Sequence, residues 1–272
     1  MIKIENIEVN GFNAAFRGLR NPMNSWDKSD SYFGISSEPY NDFDYEVSAA
    51  YVSKKYPILE EHSRDWEAHW EEYNNWLLDN GVLKRDSETG AIQYAYIGPN
   101  DMDLAQRMIK AGDDEAKFMR MIHVQMDVTA PLYWWKEFDT YKVATVANSC
   151  STMHKIHAKE FTLDDFSWEH VTTRSLELLM KTVKYLNECR DLYVNYDTHD
   201  NSGYSKPTKK EVWWQMIQLL PSSYNQKRTV DFNYQTARHM YFARRNHKLD
   251  EWHTFTDKLL ELPYGKELIG VM

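Results

Sequence analysis

Residues 128–154 read Val-Thr-Ala-Pro-Leu-Tyr-Trp-Trp-Lys-Glu-Phe-Asp-Thr-Tyr-Lys-Val-Ala-Thr-Val-Ala-Asn-Ser-Cys-Ser-Thr-Met-His, and they constrain the fold more than any other stretch. The order is an apolar strand end, a helix, then a run of small hydroxyl and thiol side chains. Residues 117–128 just before it are apolar and predict a core strand. Thr129 is placed to cap the helix, and Pro131 suits a first turn, where its missing N–H removes no bond. Leu132, Trp135 and Phe138 share one line and predict a buried stripe. Lys142, seven residues after Trp135, falls on a neighbouring line. Asn148-Ser149-Cys150-Ser151-Thr152 then gathers small donors. Such a run can present N–H and hydroxyl groups to a phosphate. It can equally form a polar turn that satisfies its own backbone.

The remaining elements follow from pattern. Ile2, Ile4, Ile7 and Val9 alternate with polar residues and predict a half-buried strand over 1–9. Residues 20–27 are rich in turn formers. Trp66, Trp70, Tyr73 and Leu77 lie on one helical stripe and predict a helix over 59–79, ended by Gly81. Residues 82–85 and 91–97, split by Asp86-Ser87-Glu88-Thr89-Gly90, predict a hairpin. Asn100 or Asp101 caps a helix over 101–111 that stops at Gly112. Residues 161–166 read as a helix-start loop. Leu176, Leu179, Val183 and Leu186 mark a long amphipathic helix over 170–191. Residues 195–209 form the longest polar loop, a candidate lid or a solvated connection. Helices over 209–219, 229–245 and 250–262 complete the chain.

A chain of 272 residues, 42% hydrophobic and 14% aromatic, is long enough for one large domain or two small ones. Aromatic side chains serve packing first, and they also stack on flat ligands. The net charge of −9 argues against a general duplex-binding or membrane-surface role, which requires a basic face. It leaves room for a small anion held by local cations. Two cysteines, Cys150 and Cys189, give no disulfide framework, and a reduced, cytoplasmic setting is the simpler expectation. No run approaches the ~18–20 apolar residues of a membrane span. The histidines lack metal-ligand spacing, so no zinc is expected. Cys150 and His154 stand four apart, which would permit a thiolate pair. A buried, inert cysteine is the plainer expectation.

A second constellation begins at Leu220-Pro221. Asn233, Ala237, Met240 and Arg244 recur at helical spacing, which would put an amide and a guanidinium on one face. Arg suits phosphate because its planar fork bonds two oxygens. The competing reading is a solvated basic face.

Taken together, these segments resemble the flavin-dependent thymidylate synthases. In that family an Ala-Pro opens a helix, an Arg-His-Arg-x-x-Ser motif follows, and a Ser-x-Arg-Tyr comes soon after. Here Ala130-Pro131 is in register, Thr140-Tyr141-Lys142 occupies the Arg-His-Arg positions and Thr145 the serine. Cys150 stands where the Ser-x-Arg serine would be, and Thr152 where its arginine would be. Downstream the family carries Leu-Pro, an Asn, an Arg and a His-Ala-Gln-x-Glu element. Leu220-Pro221, Asn233 and Arg244 fall in register. His247 and Glu251 match after a one-residue gap, with Lys248-Leu249 in place of Ala-Gln. Ile217 sits where another arginine precedes the Leu-Pro.

The resemblance covers about half the chain. It implies an α/β fold (α+β in strict usage), a central sheet flanked by helices, as one domain with a helix–hairpin insertion at about 29–97. It implies FAD as cofactor, with folate as carbon donor and NADPH as co-substrate, a dUMP-like pyrimidine nucleotide as substrate, and a homotetramer with sites between subunits. By position, Tyr141, Lys142, Thr145, Asn233 and His247 would meet the cofactor. Glu137, Asn148, Ser149, Cys150, Ser151 and Arg244 would meet the nucleotide. No protein nucleophile is implied. Three readings stay open: a divergent enzyme of this type with a rebuilt site, a nucleotide-binding protein with altered specificity or no catalysis, and a structural or partner-binding protein.

Overall fold

The computed structural model describes residues 2–36, 83–85, 92–198 and 207–272. In chain order its elements are β1 (Lys3–Asn10), α1 (Phe12–Arg20), β2 (Tyr32–Ser36), β3 (Leu83–Arg85), β4 (Ile92–Tyr96), α2 (Pro99–Ala111), β5 (His123–Pro131), α3 (Leu132–Phe138), β6 (Thr145–Ser149), α4 (Thr173–Val194), α5 (Lys209–Gln218), β7 (Asn225–Asn233), α6 (Tyr234–Arg244) and α7 (Asp250–Glu261), with short 3-10 turns between them. The fold is a sheet flanked by helices, as expected. Two compact units divide it: Met1–Ile7, Gln125–Asp231 and Lys248–Phe255 form the first, and Glu8–Val124, Phe232–His247 and Thr256–Met272 the second. The expected helix over 59–79 and most of the polar loop after residue 198 lie outside the described residues.

The first unit is organised by a four-stranded sheet of order β1-β5-β7-β6. Strand β5 alternates from His123 to Ala130, with Val124, Met126, Val128 and Ala130 buried and the residues between them half-buried, and Pro131 is buried as well. That is what a period-2 pattern produces when one face meets a core. The strand starts later than its apolar run, because Ala116–Met121 form a 3-10 turn first. It also runs through Thr129 to Pro131, so Thr129 pairs in the strand and Pro131 takes the helix-cap position. Helix α3 then buries Trp134, Trp135 and Phe138, while Leu132 is only half-buried. Trp134 meets Trp135, Phe138, Trp252 and Phe255 with ring centroids 4.8–5.4 Å apart. Rings of this size each bury roughly 150–250 Å², so this cluster anchors seven residues of helix too short to stand alone. Helices α4 and α5 close a second apolar cluster over Ile156, Phe161 and Phe166. The 3-10 turn at Leu163–Asp165 opens with a capping box between Thr162 and Asp165, matching the helix-start loop read from sequence.

In the second unit β2, β4 and β3 form an antiparallel sheet, with Leu83 opposite Tyr94 and Tyr32 opposite Tyr96. This contains the expected hairpin. Helix α1, which the sequence pattern did not reveal, buries Phe12, Ala15, Phe16 and Leu19. Gly11 opens it at φ 97°, and a Cβ there would meet the Met121 carbonyl oxygen at 2.0 Å. Only glycine fits both constraints. Helix α2 is capped differently from expectation: Gly98 is the cap and Pro99 the first residue. The Asp30 carboxylate accepts from the amides of Asn100 and Asp101 at 2.8 and 3.0 Å. Asp101 is instead a fully buried anion. It accepts from Arg20 at 2.6–2.7 Å and from the hydroxyls of Ser29 and Ser31.

The expected helix over 229–245 is corrected. Residues 225–233 form strand β7, and helix α6 starts only at Tyr234. The spacing Asn233-Ala237-Met240-Arg244 is genuine, but Asn233 is the helix cap: its side-chain oxygen accepts from the Thr236 amide at 2.9 Å. The apolar residues of 225–232, Val230 and Phe232, stand two apart, which is a strand period, and both are buried in the sheet.

Candidate functional site

Helix α3 ends at Phe138, so Lys142 lies beyond it in a turn rather than on its face. Backbone amides close that turn, from Asp139 to Trp135 O at 2.8 Å, Thr140 to Glu137 O at 3.2 Å and Tyr141 to Phe138 O at 3.0 Å. The Thr140 hydroxyl donates to Glu137 O at 2.7 Å, and the Thr145 hydroxyl donates to Tyr141 O. Ala144 sits at φ 56°, a left-handed conformation that costs energy with a Cβ. The threonines at two of the motif positions therefore shape the chain itself. Tyr141 is half-buried, edge-on to Trp252 at 6.2 Å. Glu137 is half-buried on α3, and Lys142 is exposed with no ion pair among the described residues.

Strand β6 is the sheet edge beside β7, and four of its five residues are exposed, Asn148 and Ser149 among them. The small-donor run is thus a strand end followed by a turn, where Ser151 Oγ accepts from the His154 amide at 2.9 Å. The Cys150 amide donates to Lys227 O at 3.0 Å, continuing the strand pairing. Its thiol is exposed, which corrects the expectation of a buried cysteine; Cys189 is the buried one.

Sequence reading gave Arg228 no defined place. On β7 it lies with its guanidinium carbon 4.2 Å from the Trp135 ring centroid, Nη1 2.7 Å from Asp139 and Nε 3.0 Å from Gln226 Oε1. Gln226 in turn donates to Cys150 O at 2.9 Å, while its own carbonyl accepts from the Trp135 indole at 2.9 Å. One half-buried arginine fork therefore ties α3, the turn after it, β7 and the end of β6 together. Trp135 and Arg228 lie inside elements far apart in the chain, and spacing along one chain does not report that they meet.

On the same sheet Asp127 accepts from Thr229 at 2.6 Å, Lys227 at 2.9 Å and Asn6 at 2.9 Å. These donors, the Thr229 hydroxyl foremost, hold its carboxyl well below the usual carboxylate range. Lys227 is correspondingly raised by Asp127. Tyr133 donates to Glu251, and burial together with that carboxylate pushes its phenol well above its ordinary value.

The second unit holds the other predicted residues. Asn233 is buried with its oxygen used in the cap, which leaves the Nδ2 donor for any further contact. Arg244 is half-buried in the last turn of α6, and the amide of half-buried His247 donates to its carbonyl at 2.9 Å. Arg238 is committed elsewhere: it donates to the carbonyls of Ile269 and Val271 and so secures the C-terminal segment. Among the described residues no cluster of three or more His, Cys, Asp or Glu is arranged to hold a metal. None of the described helices is long and apolar enough to cross a membrane.

No family profile and no curated protein matches the sequence. In three dimensions the outcome is different. A structure of thymidylate synthase X from Helicobacter pylori with FAD and dUMP aligns at TM-score 0.54 over 99% of this chain and 97% of that chain, at 11% identity. A second, a flavin-dependent thymidylate synthase from Helicobacter pylori complexed with FAD and dUMP, aligns at TM-score 0.55 over 97% of each, at 10% identity. The chain has the flavin-dependent thymidylate synthase fold. The resemblance carried by Ala130-Pro131 and Leu220-Pro221 agrees with this fold, although sequence identity has fallen to about one residue in ten.

Proposed function

We propose that this protein is a flavin-dependent enzyme of thymidylate synthase type, binding a dUMP-like pyrimidine nucleotide at a rebuilt site. The observation that carries the reading is the near-complete alignment, in both directions, with two enzymes solved with FAD and dUMP. A flavin dinucleotide needs cations or N–H groups for its phosphates and a flat surface for its ring. Lys142 offers an exposed, uncommitted ammonium, and Tyr141 a half-buried ring beside it. The exposed edge of β6 offers Asn148 and Ser149. These residues fit the group. They would hold the phosphates and orient the ring, and Arg244 would hold the nucleotide phosphate. When bound and reduced by NADPH, the flavin would supply hydride to a carbon transferred from folate to the nucleotide. The chain's own part is positioning and electrostatic stabilisation rather than covalent catalysis.

A second reading keeps the nucleotide and drops the standard reaction. It is favoured by the hydroxyls of Thr140 and Thr145, which are turned onto the backbone of their own turn. They supply no fixed positive charge, and Lys142 is a point charge rather than a fork. Calorimetric titration of FAD and of dUMP separates the two readings, with Lys142→Ala and Arg244→Ala as variants. Loss of a charge-assisted fork costs about 1.5–3 kcal/mol, roughly a 10–150-fold loss of affinity. The leading reading expects that loss for dUMP in Arg244→Ala and weakened FAD in Lys142→Ala. Binding of dUMP without FAD supports the second reading, and binding of neither removes both.

A further inference from the structure

We infer that the first unit carries a separate binding site for a phosphorylated aromatic molecule of mononucleotide size. A cavity of about 370 Å³ is lined by Met153, His154, His157, Tyr193, Lys209, Lys210 and Trp213. That volume falls in the range of small-ligand sites. None of these residues is among those assigned above to flavin or pyrimidine nucleotide, so the inference stands independently of that reading.

Three observations define the ligand. The first is charge. Lys209 and Lys210 are the first two residues of the ten-residue helix α5, where aligned peptide dipoles already favour an anion. Thr208 and Glu211 form a capping box that satisfies the Thr208 and Glu211 amides, at 2.7 and 3.3 Å. The amides of Lys209 and Lys210 are the ones this box leaves for another acceptor. Among the described residues Lys209 pairs with Asp197, at 4.0 Å and largely exposed, a contact too long and too wet to neutralise it. Two ammonium groups and a helix terminus suit a phosphate dianion better than a single carboxylate. Such a concentration of cations is also against the trend of a chain with net charge −9.

The second observation is the aromatic wall. The Tyr193 ring lies 4.7 Å from His157 and has the Lys209 ammonium 5.2 Å from its centroid. Trp213 is fixed by a 3.0 Å hydrogen bond from its indole to the Met153 carbonyl. A pinned indole, a tyrosine and a thioether together form a surface for a flat ring. The third observation is half-buried His157, whose Nδ1 has no hydrogen-bond partner among the described residues. A buried polar atom without a partner is costly, and rotation of this half-buried ring would bring it to a ligand with ring heteroatoms or hydroxyls.

The test is calorimetric titration of the full chain with AMP, ribose 5-phosphate and inorganic phosphate, each without dUMP and again with dUMP added at millimolar concentration. Wild-type protein is expected to bind AMP, ribose 5-phosphate at least tenfold more weakly, and inorganic phosphate weakest. Lys209→Ala/Lys210→Ala should weaken AMP at least tenfold while leaving dUMP affinity unchanged, with circular dichroism confirming the fold. Trp213→Phe keeps a ring and should retain most binding, whereas His157→Ala should weaken AMP and spare inorganic phosphate. No AMP binding at millimolar concentration would overturn the inference, as would AMP binding that ignores the two lysines or disappears when dUMP is added. Equal affinity for AMP and inorganic phosphate would refute the aromatic part.

Discussion

Replacing Arg228 by alanine removes three contacts at once, and each has a magnitude. The Arg228 side chain is 15% exposed and its partner Asp139 52%, so the 2.7 Å ion pair is half-screened and contributes about 0.5–1 kcal/mol. The hydrogen bond to Gln226 contributes about 1 kcal/mol. The guanidinium over Trp135 at 4.2 Å contributes about 1 kcal/mol more. Neighbouring terms do not add fully, so the expected cost is about 2–3 kcal/mol. Urea unfolding reads that directly. A second readout is local. Gln226 loses the group that orients it, and Gln226 holds the Cys150 carbonyl. The Cys150 amide, bonded to Lys227 O, should then exchange hydrogen faster, and the exposed thiol should react faster with a labelling reagent. Arg228→Lys keeps the charge and loses the fork and the stacked plane, so it should recover less than half of the stability. A cost below about 0.5 kcal/mol in Arg228→Ala, with unchanged exchange at Cys150, would refute the claim that this arginine ties α3 to the β6–β7 edge.

Two further outcomes are expected. Asp101→Asn leaves the buried Arg20 guanidinium without its counter-ion and should cost about 3–5 kcal/mol in urea unfolding; a loss under 1 kcal/mol would mean the pair is not a net anchor. Burial, aided by the Asp165 and Cys150 charges, pushes the Tyr224 phenol up to about 12 from 10.0. The folded state therefore holds its proton longer than the unfolded one. Stability should be fully present below pH 10 and fall between about pH 10 and 12, and Tyr224→Phe should flatten that fall relative to wild type.

Much of the scaffold was legible because burial imposes period on sequence. The strand at β1, the hairpin of β3 and β4, the helices α4, α5 and α7, and the apolar run entering β5 all follow from it. The failures have specific physical causes. Strand β7 reads as the start of a helix because Asn233, Ala237, Met240 and Arg244 keep helical spacing across a boundary that the Asn233 cap defines. Helix α2 begins at Gly98 rather than a polar cap because Asp30, distant in sequence, supplies the acceptor. The candidate site was legible only as register: Tyr141, Lys142, Asn148 and Ser149 lie on one turn and strand edge, as their sequence proximity requires. Arg228 was not assigned there, because its role depends on Trp135 and Asp139 arriving from another element. Cys150 is exposed rather than buried because β6 is an edge strand, and strand order is a tertiary property.

The central claim is that this fold, at about 10% identity, still houses a flavin next to a pyrimidine nucleotide. Visible absorption spectroscopy of the FAD-reconstituted protein, titrated with dUMP, tests it most directly. The account predicts retained flavin colour after desalting and a saturable dUMP-induced change in the flavin spectrum that is weakened in Arg244→Ala. Protein that loses all flavin on desalting, or holds flavin whose spectrum ignores dUMP at every concentration, would contradict it.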